Sequence, residues 1–386
     1  MTDQERYRTA LLDWLACASA GAAEPAARAA REAGGGLLER VTAAGAAGHV
    51  LDYDDTYLPG LAHLSAPVAP AALLLAAELG LDVAAVLAAY RAGFEATGAL
   101  ARAGHPALYE RGWHPTAVCG TVGSAVAGAR LLALDPAQTD SACALALVRA
   151  GGLRAAFGSD AKALQVGMAA AAGVHAARLA ASGGSAPLET VASAAGGYEA
   201  AFGAPWAGPD SEPAVRQNWI KAYPCCLATH SGIEAADELR RRGGAGDRRV
   251  TVIVSPRARQ AAMHDDVANG LEGKFSIPYV VAFTLLHGPP LVRDFATVDA
   301  AARALAAEAV TVEVDDRLAE MQTRIAVEGE VVANVEHALG SPERPLDAAQ
   351  LASKLRELGG DHLAGTLEEG STAAADVVAA AGLDRR

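Results

Sequence analysis

From residue 1 to about residue 200 the chain is a succession of Ala- and Leu-rich segments of helical length, broken by Gly, Pro and Asp. No other feature limits the fold as much. The segments include Pro70 to Leu79, Asp82 to Arg102, Ala117 to Leu134, Ser141 to Ala150 and Leu164 to Ser182. Asp82 and the Asp140/Ser141 pair offer N-cap oxygens, and Gly80 and Gly183 stand where a helix would stop. Small side chains let helix axes approach closely, so this half predicts a helical bundle and not a sheet.

Past the polar, Pro-rich stretch at 205–217 the pattern changes. Arg248 to Ser255 and Ala309 to Asp315 are short and β-branched, and Thr323 to His337 reads as two strands around a Glu-Gly turn. Helical segments at Pro278 to His287 and Ala300 to Glu308 lie between the first two strands. This stretch therefore reads as α+β. The tail returns to helix, with Leu346 to Leu358 opening at Asp347 and a last Ala-rich segment ending near Gly382.

Composition removes several function classes. Lys plus Arg number 32 against 45 Asp plus Glu, a net charge of −13. Nucleic-acid binding draws its affinity from clustered basic residues, and none cluster here. The 52% hydrophobic content excludes a disordered chain. The five cysteines are odd in number and lack the spaced pairs of a zinc ribbon or iron-sulfur cluster, so neither metal nor structural disulfide is expected. Early charges and the lack of a long apolar run argue against a signal peptide or membrane span, and the expected location is cytoplasmic.

Lysine usage is the most informative count. The chain has four lysines, Lys162, Lys221, Lys274 and Lys354, which leaves 32 − 4 = 28 arginines. A lysine retained against that background is a candidate for a task arginine does badly: a compact point charge, or a proton donor with a movable pKa. Chance retention on a solvated surface is the plain alternative.

Three of the four lie in unusual segments. Lys162 falls in the first turn of a small-residue helix, where ammonium and helix start together favour an anion. Lys221 to His230 (KAYPCCLATH) gathers Lys, Tyr, two Cys and His around a proline; a Cys/His nucleophile or buried small side chains both fit. Lys274 and Tyr279 flank Pro278 at a helix start. Elsewhere, His114 precedes Pro115 where a helix begins, which favours a neutral imidazole suited to a base or a hydrogen-bond donor. Within His49 to Val68, Asp52, Asp54 and Asp55 have metal-like density but not the spacing of a calcium loop, and a cap-and-turn cluster fits equally.

The blocks GHVLDYDDT...HLSAPVAPA, GWHPTAVCGTVGSAVAGARLLALD, DAKALQVGMAAAAGVHAARLAASG, KAYPCCLATHSGIEAA, GKFSIPYVVAFTLLHG and RPLDAAQLASKLREL run in order from about residue 45 to 358. Together they resemble the MmgE/PrpD family, which includes 2-methylcitrate dehydratase, cis-aconitate decarboxylase and an iminodisuccinate epimerase. The resemblance implies a mainly α fold: a large all-helical domain built from both chain ends, 1–220 and 345–386, with an inserted smaller α+β lid domain at 221–344. It further implies a cleft between them and a homodimer with no metal and no organic cofactor.

Residue by residue the resemblance points to Asp52, Thr56, His63, His114, Lys162, Lys221, His230, Lys274 and Tyr279. The chain departs from the family pattern at Leu58 and Gln165, each where a His is frequent, at Leu64, where Pro is usual, and at Cys226, where the decarboxylase has a His.

The reactions of such a family share an enolate or carbanion next to a carboxylate. Lys162, Lys221 and Lys274 would then be fixed cations for a polyanion. His63 and His114 would form the proton-transfer pair, with Asp52 orienting an imidazole, Thr56 and Tyr279 bonding substrate oxygens, and His230 in the binding set. The expected partner is a small di- or tricarboxylate. The leading expectation is a hydro-lyase acting on a 2-methylcitrate-like acid; epimerisation of an imino-dicarboxylate, cis-aconitate-type decarboxylation and a non-catalytic binding protein are the alternatives.

Overall fold

A computed structural model describes residues 1–208, 211–246 and 248–384. Its hydrophobic side chains gather into two cores. One is helical and draws on both chain ends, from Tyr7 to Val215 and again from Leu355 to Leu383. The other runs from Trp219 to Ala338 and holds a four-stranded sheet with its covering helices. No described helix is long and apolar enough to cross a membrane.

In the helical core, Leu37–Val50, Ser65–Glu78, Val83–Gly104, Pro115–Leu131 and Asp160–Ala181 pack on one another. Asp82 caps its helix through the Ala85 N–H as expected. The next cap is Asp135 and not Asp140 or Ser141, because Asp135 and Gln138 bond each other's backbone N–H groups reciprocally and Pro136 fits the first turn. Likewise the helix expected from Pro70 begins at Ser65 and runs through both prolines, with Pro70 two residues past its first turn. Gly80 and Gly183 adopt φ of 68° and 91° beyond helix ends, where a side chain would be strained.

Leu37–Val50 and Asp160–Ala181 matter most for function, because one ends at the Asp52 turn and the other starts at Lys162. They touch where Gly45 faces Gly167. A Cβ on Gly45 would lie 2.7 Å from the Gly167 Cα, and one on Gly167 would overlap the Thr42 carbonyl oxygen. Gly167→Val is therefore expected to cost about 3 kcal/mol through overpacking, read as a lower urea midpoint at unchanged slope.

The sheet runs in the order Val310–Val314, Val250–Val254, Thr323–Val327, Glu330–Val335. Val250–Val254 pairs parallel to Val310–Val314, and helices Ile277–His287 and Ala300–Ala309 lie on the crossover between them. The other pairings are antiparallel. Val250, Val252 and Val254 face inward, and helix Leu227–Arg241 packs on the two later strands. A short ribbon, Thr56–Tyr57 against Asn218–Trp219, brings the segment after the Asp52 turn beside the entry to the second core.

Candidate active site

The Leu37–Val50 helix ends with His49 in its last turn, and Leu51 caps it. Asp52 then takes the left-handed conformation at φ 52°, which turns the chain sharply and sends successive acids in different directions. Asp52 Oδ1 receives the ammonium groups of Lys162 at 2.8 Å and Lys221 at 3.1 Å. Asp54 Oδ2 faces two imidazoles, His49 Nδ1 at 2.9 Å and His63 Nδ1 at 3.1 Å, the second out of line for a full hydrogen bond. Asp54 therefore holds the orienting place that the sequence suggested for Asp52, while Asp52 anchors the lysines.

Proton positions follow from fixed partners. The Lys162 ammonium donates to His49 Nε2 at 2.9 Å, so the neutral ring carries its proton on Nδ1 and donates to Asp54. Gln165 is pinned from both ends by Leu153, accepting its N–H and donating to its carbonyl. Its amide N–H must then donate to His114 Nδ1, at 2.8 Å, so neutral His114 carries its proton on Nε2. His114 sits at the N-cap of Pro115–Leu131 with its ring edge-on to Phe157. His49 stacks beside it, and the ring of His63 meets His49 edge-on at 4.5 Å.

Burial sets the charge states. It lowers the imidazoles of His49, His63 and His114, and neighbouring cations deepen the effect; His63 falls to about 3 despite Asp54. Burial also opposes ionisation of Asp52, but the Lys162 and Lys221 ammoniums and the nearby imidazoles overcome it and hold the carboxyl far below its usual range. Lys221 is raised for the converse reason: burial would lower it, and Asp52 and Asp54 prevail.

The resulting pocket has cationic and imidazole-rich lining from Asp52, Thr56, His63, His114, Lys162 and Lys221. Leu61, Phe157, Leu227, Phe275 and Met321 add apolar lining, with the Phe157 and Phe275 rings each 5.6 Å from Lys162 Nζ, and the space enclosed is about 500 Å³, part of it open to solvent. The Thr56 hydroxyl is buried with no protein partner. Cys226 also lines the pocket, with burial pushing its thiol up to about 11, so it stands there as a neutral side chain and not as a thiolate.

Three expected residues lie outside the pocket lining. Tyr279 accepts the Asp299 N–H at 2.9 Å in the second core. Lys274 donates to the carbonyls of Leu51 at 2.6 Å and Pro224 at 2.7 Å, and its third face meets the Phe295 ring. His230 is buried behind Cys225, its Nε2 3.3 Å from the Cys225 carbonyl. Conversely, the sequence reading gave His49, Asp54 and Gln165 no role in the site. The departure at Gln165 was the signal available for that residue.

His49, Asp54 and His63 place three donor atoms within 4.8 Å of one another, as a metal site does. The arrangement fits a hydrogen-bonded relay better: both imidazoles share one carboxylate oxygen, and the Lys162 ammonium occupies the far edge of His49.

Residues 41–208 match the MmgE/PrpD N-terminal domain and residues 223–379 the MmgE/PrpD C-terminal domain. The chain belongs to the MmgE/PrpD family. Among curated relatives, the cis-aconitate decarboxylase of Homo sapiens is 32% identical over 216 residues, covering 51% of this chain and 43% of the relative. That of Mus musculus is 31% identical over 216 residues, covering 51% and 42%. The cis-aconitate decarboxylase of Aspergillus terreus strain NIH 2624 is 28% identical over 348 residues, covering 76% of this chain and 70% of the relative. The chain thus spans less than half of the two mammalian relatives it matches.

Proposed function

We propose that the chain is a lyase that decarboxylates a small tricarboxylate of the cis-aconitate kind, with the second core acting as a lid over the pocket. The mixed lining of the pocket, ammoniums beside apolar side chains, carries this reading. Lys162 and Lys221 each spend two N–H donors inside the protein and keep a third for a carboxylate. The apolar lining disfavours a charged carboxylate and favours its departure as neutral carbon dioxide.

The electron count fixes what the residues must do. In an unsaturated tricarboxylate, the carboxylate on the saturated carbon next to the double bond leaves, and its C–C electron pair becomes a new double bond. The old double bond takes up one proton at its far carbon. In this reading His63 supplies that proton from Nε2: the arriving polyanion reverses the field that otherwise keeps its imidazole neutral. The N–H of His114 Nε2 and the Thr56 hydroxyl hold carboxylate oxygens.

Dehydration of a 2-methylcitrate-like acid is the second reading. It is favoured by the departure at Cys226 and by the free Thr56 hydroxyl, which suits a substrate hydroxyl. A pH-stat with carbon dioxide swept out by a gas stream separates the two, because decarboxylation of the trianion consumes one proton per carbon dioxide removed and dehydration consumes none. Uptake of one proton with one carbon dioxide from cis-aconitate is expected. Formation of an alkene from 2-methylcitrate or citrate without proton uptake would assign the second reading. Incorporation of solvent deuterium without either product would discard both.

A further inference from the structure

All four lysines of the chain converge on three consecutive residues. Lys274 donates to the Leu51 carbonyl at 2.6 Å, Lys221 to the Asp52 carbonyl at 2.9 Å and Lys354 to the Tyr53 carbonyl at 2.7 Å. Lys162 takes the Asp52 side chain at 2.8 Å. Every one of the four is buried. They come from four distant parts of the sequence, so the convergence is a product of the fold and not of one local motif.

The donor count separates them into two pairs. An ammonium has three N–H groups. Lys354 turns its ammonium entirely to protein oxygens, with hydrogen bonds to Tyr53 O and to the Lys221 carbonyl at 2.9 Å and an ion pair to Asp13 Oδ1 at 2.6 Å that is out of line for a full hydrogen bond. Lys274 spends two on carbonyls and turns its remaining face to the Phe295 ring, with Nζ 4.6 Å from the centroid. Neither has a donor left for a ligand, and neither lines the pocket, whereas Lys162 and Lys221 do both.

We propose that Lys274 and Lys354 are positioning residues, a clamp on the left-handed Leu51–Tyr53 turn that fixes Asp52 and, through the Lys221 carbonyl, Lys221 itself. The turn follows directly on the C-terminus of helix Leu37–Val50, where backbone carbonyls lack helical partners and the dipole is negative. Asp52 pays for φ of 52° without being glycine, so the turn needs outside support. Point-like ammoniums provide it where three carbonyls converge; a planar guanidinium would not, which gives a reason for lysines in a chain that otherwise uses 28 arginines. Charge is consistent as well: four ammoniums against Asp13, Asp52 and Asp54 leave 4 − 3 = +1 for an incoming anion.

The inference rests on the reading of this pocket as the reaction site, and its test has an arm that needs no turnover. Two variants serve: Lys274→Met, and Lys354→Met combined with Asp13→Asn so that no buried charge is left alone. Protein labelled with nitrogen-15 at lysine gives four ammonium signals, assigned by single replacements. In folded variants the Lys162 and Lys221 signals are expected to shift or broaden, and kcat on the accepted substrate to fall about 30-fold. Unmoved Lys162 and Lys221 signals with kcat within threefold would overturn the clamp, as would failure of both variants to fold, since the lysines would then serve the core alone. If the unaltered protein turns over no tricarboxylate, the function reading fails while the ammonium signals still decide the clamp.

Discussion

Lys162→Arg should lower kcat/KM by at least about 100-fold, a loss of about 2.7 kcal/mol of transition-state stabilisation, although the charge is kept. Lys162 places one nitrogen 2.8 Å from Asp52 Oδ1 and 2.9 Å from His49 Nε2 while lining the pocket. A guanidinium spreads its donors over a plane and is longer, so at a site only 7% exposed it cannot put one point charge between those two acceptors. His49 would lose the donor that fixes its tautomer, and with it the register of the Asp54 relay to His63. Circular dichroism and the urea midpoint should change little, because Lys221 still compensates Asp52. Near-normal turnover would reduce Lys162 to a charge at a helix start.

How far this site was legible in the sequence depends on backbone geometry. Helical and β-branched segments announced themselves because their periodicities differ, and Asp82 and Asp347 were readable as caps. Asp135 was not, since several acidic and hydroxyl residues nearby offered equivalent oxygens and only the reciprocal bond with Gln138 decides. In the pocket, Asp52, Thr56, His63, His114, Lys162 and Lys221 come together. The division of labour between Asp52 and Asp54 was hidden, because it follows from one left-handed residue, a conformation aspartate visits more than most side chains but too rarely for the sequence to announce which of three nearby acids adopts it. His49 was masked by its place in a helix of small apolar residues. Lys274 and Tyr279 have the right chemistry in the right block, but their polar atoms are already engaged by Leu51, Pro224 and Asp299.

Acid should unfold this protein unusually steeply. His63 and His230 are lowered by burial to about 3, and burial also lowers His49 and His114. In the unfolded chain all four return to about 6.5, so below that pH the unfolded state binds protons the native state does not, and stability falls with pH. One carboxyl acts clearly in the opposite sense: burial raises Asp55 to about 7, so it keeps its proton in the native state where the unfolded chain has lost it, while burial pushes Asp13 the same way against the Lys354 ammonium paired with it.

Averaged between pH 6.5 and 5.5, the four unfolded imidazoles bind about three protons and native Asp55 about one, a difference of about 3 − 1 = 2. That corresponds to about 2.7 kcal/mol per pH unit, a large part of the 5–15 kcal/mol typical of native proteins. Urea unfolding at pH 6.5 and 5.5 checks the slope, and equal stabilities would show that the imidazoles are already charged or solvated in the folded protein. A non-reacting tricarboxylate such as tricarballylate should recover more stability at pH 5.5 than at pH 7. It favours the protonated imidazoles that the empty pocket resists, so the same field that makes the free protein acid-labile becomes binding energy once a polyanion enters.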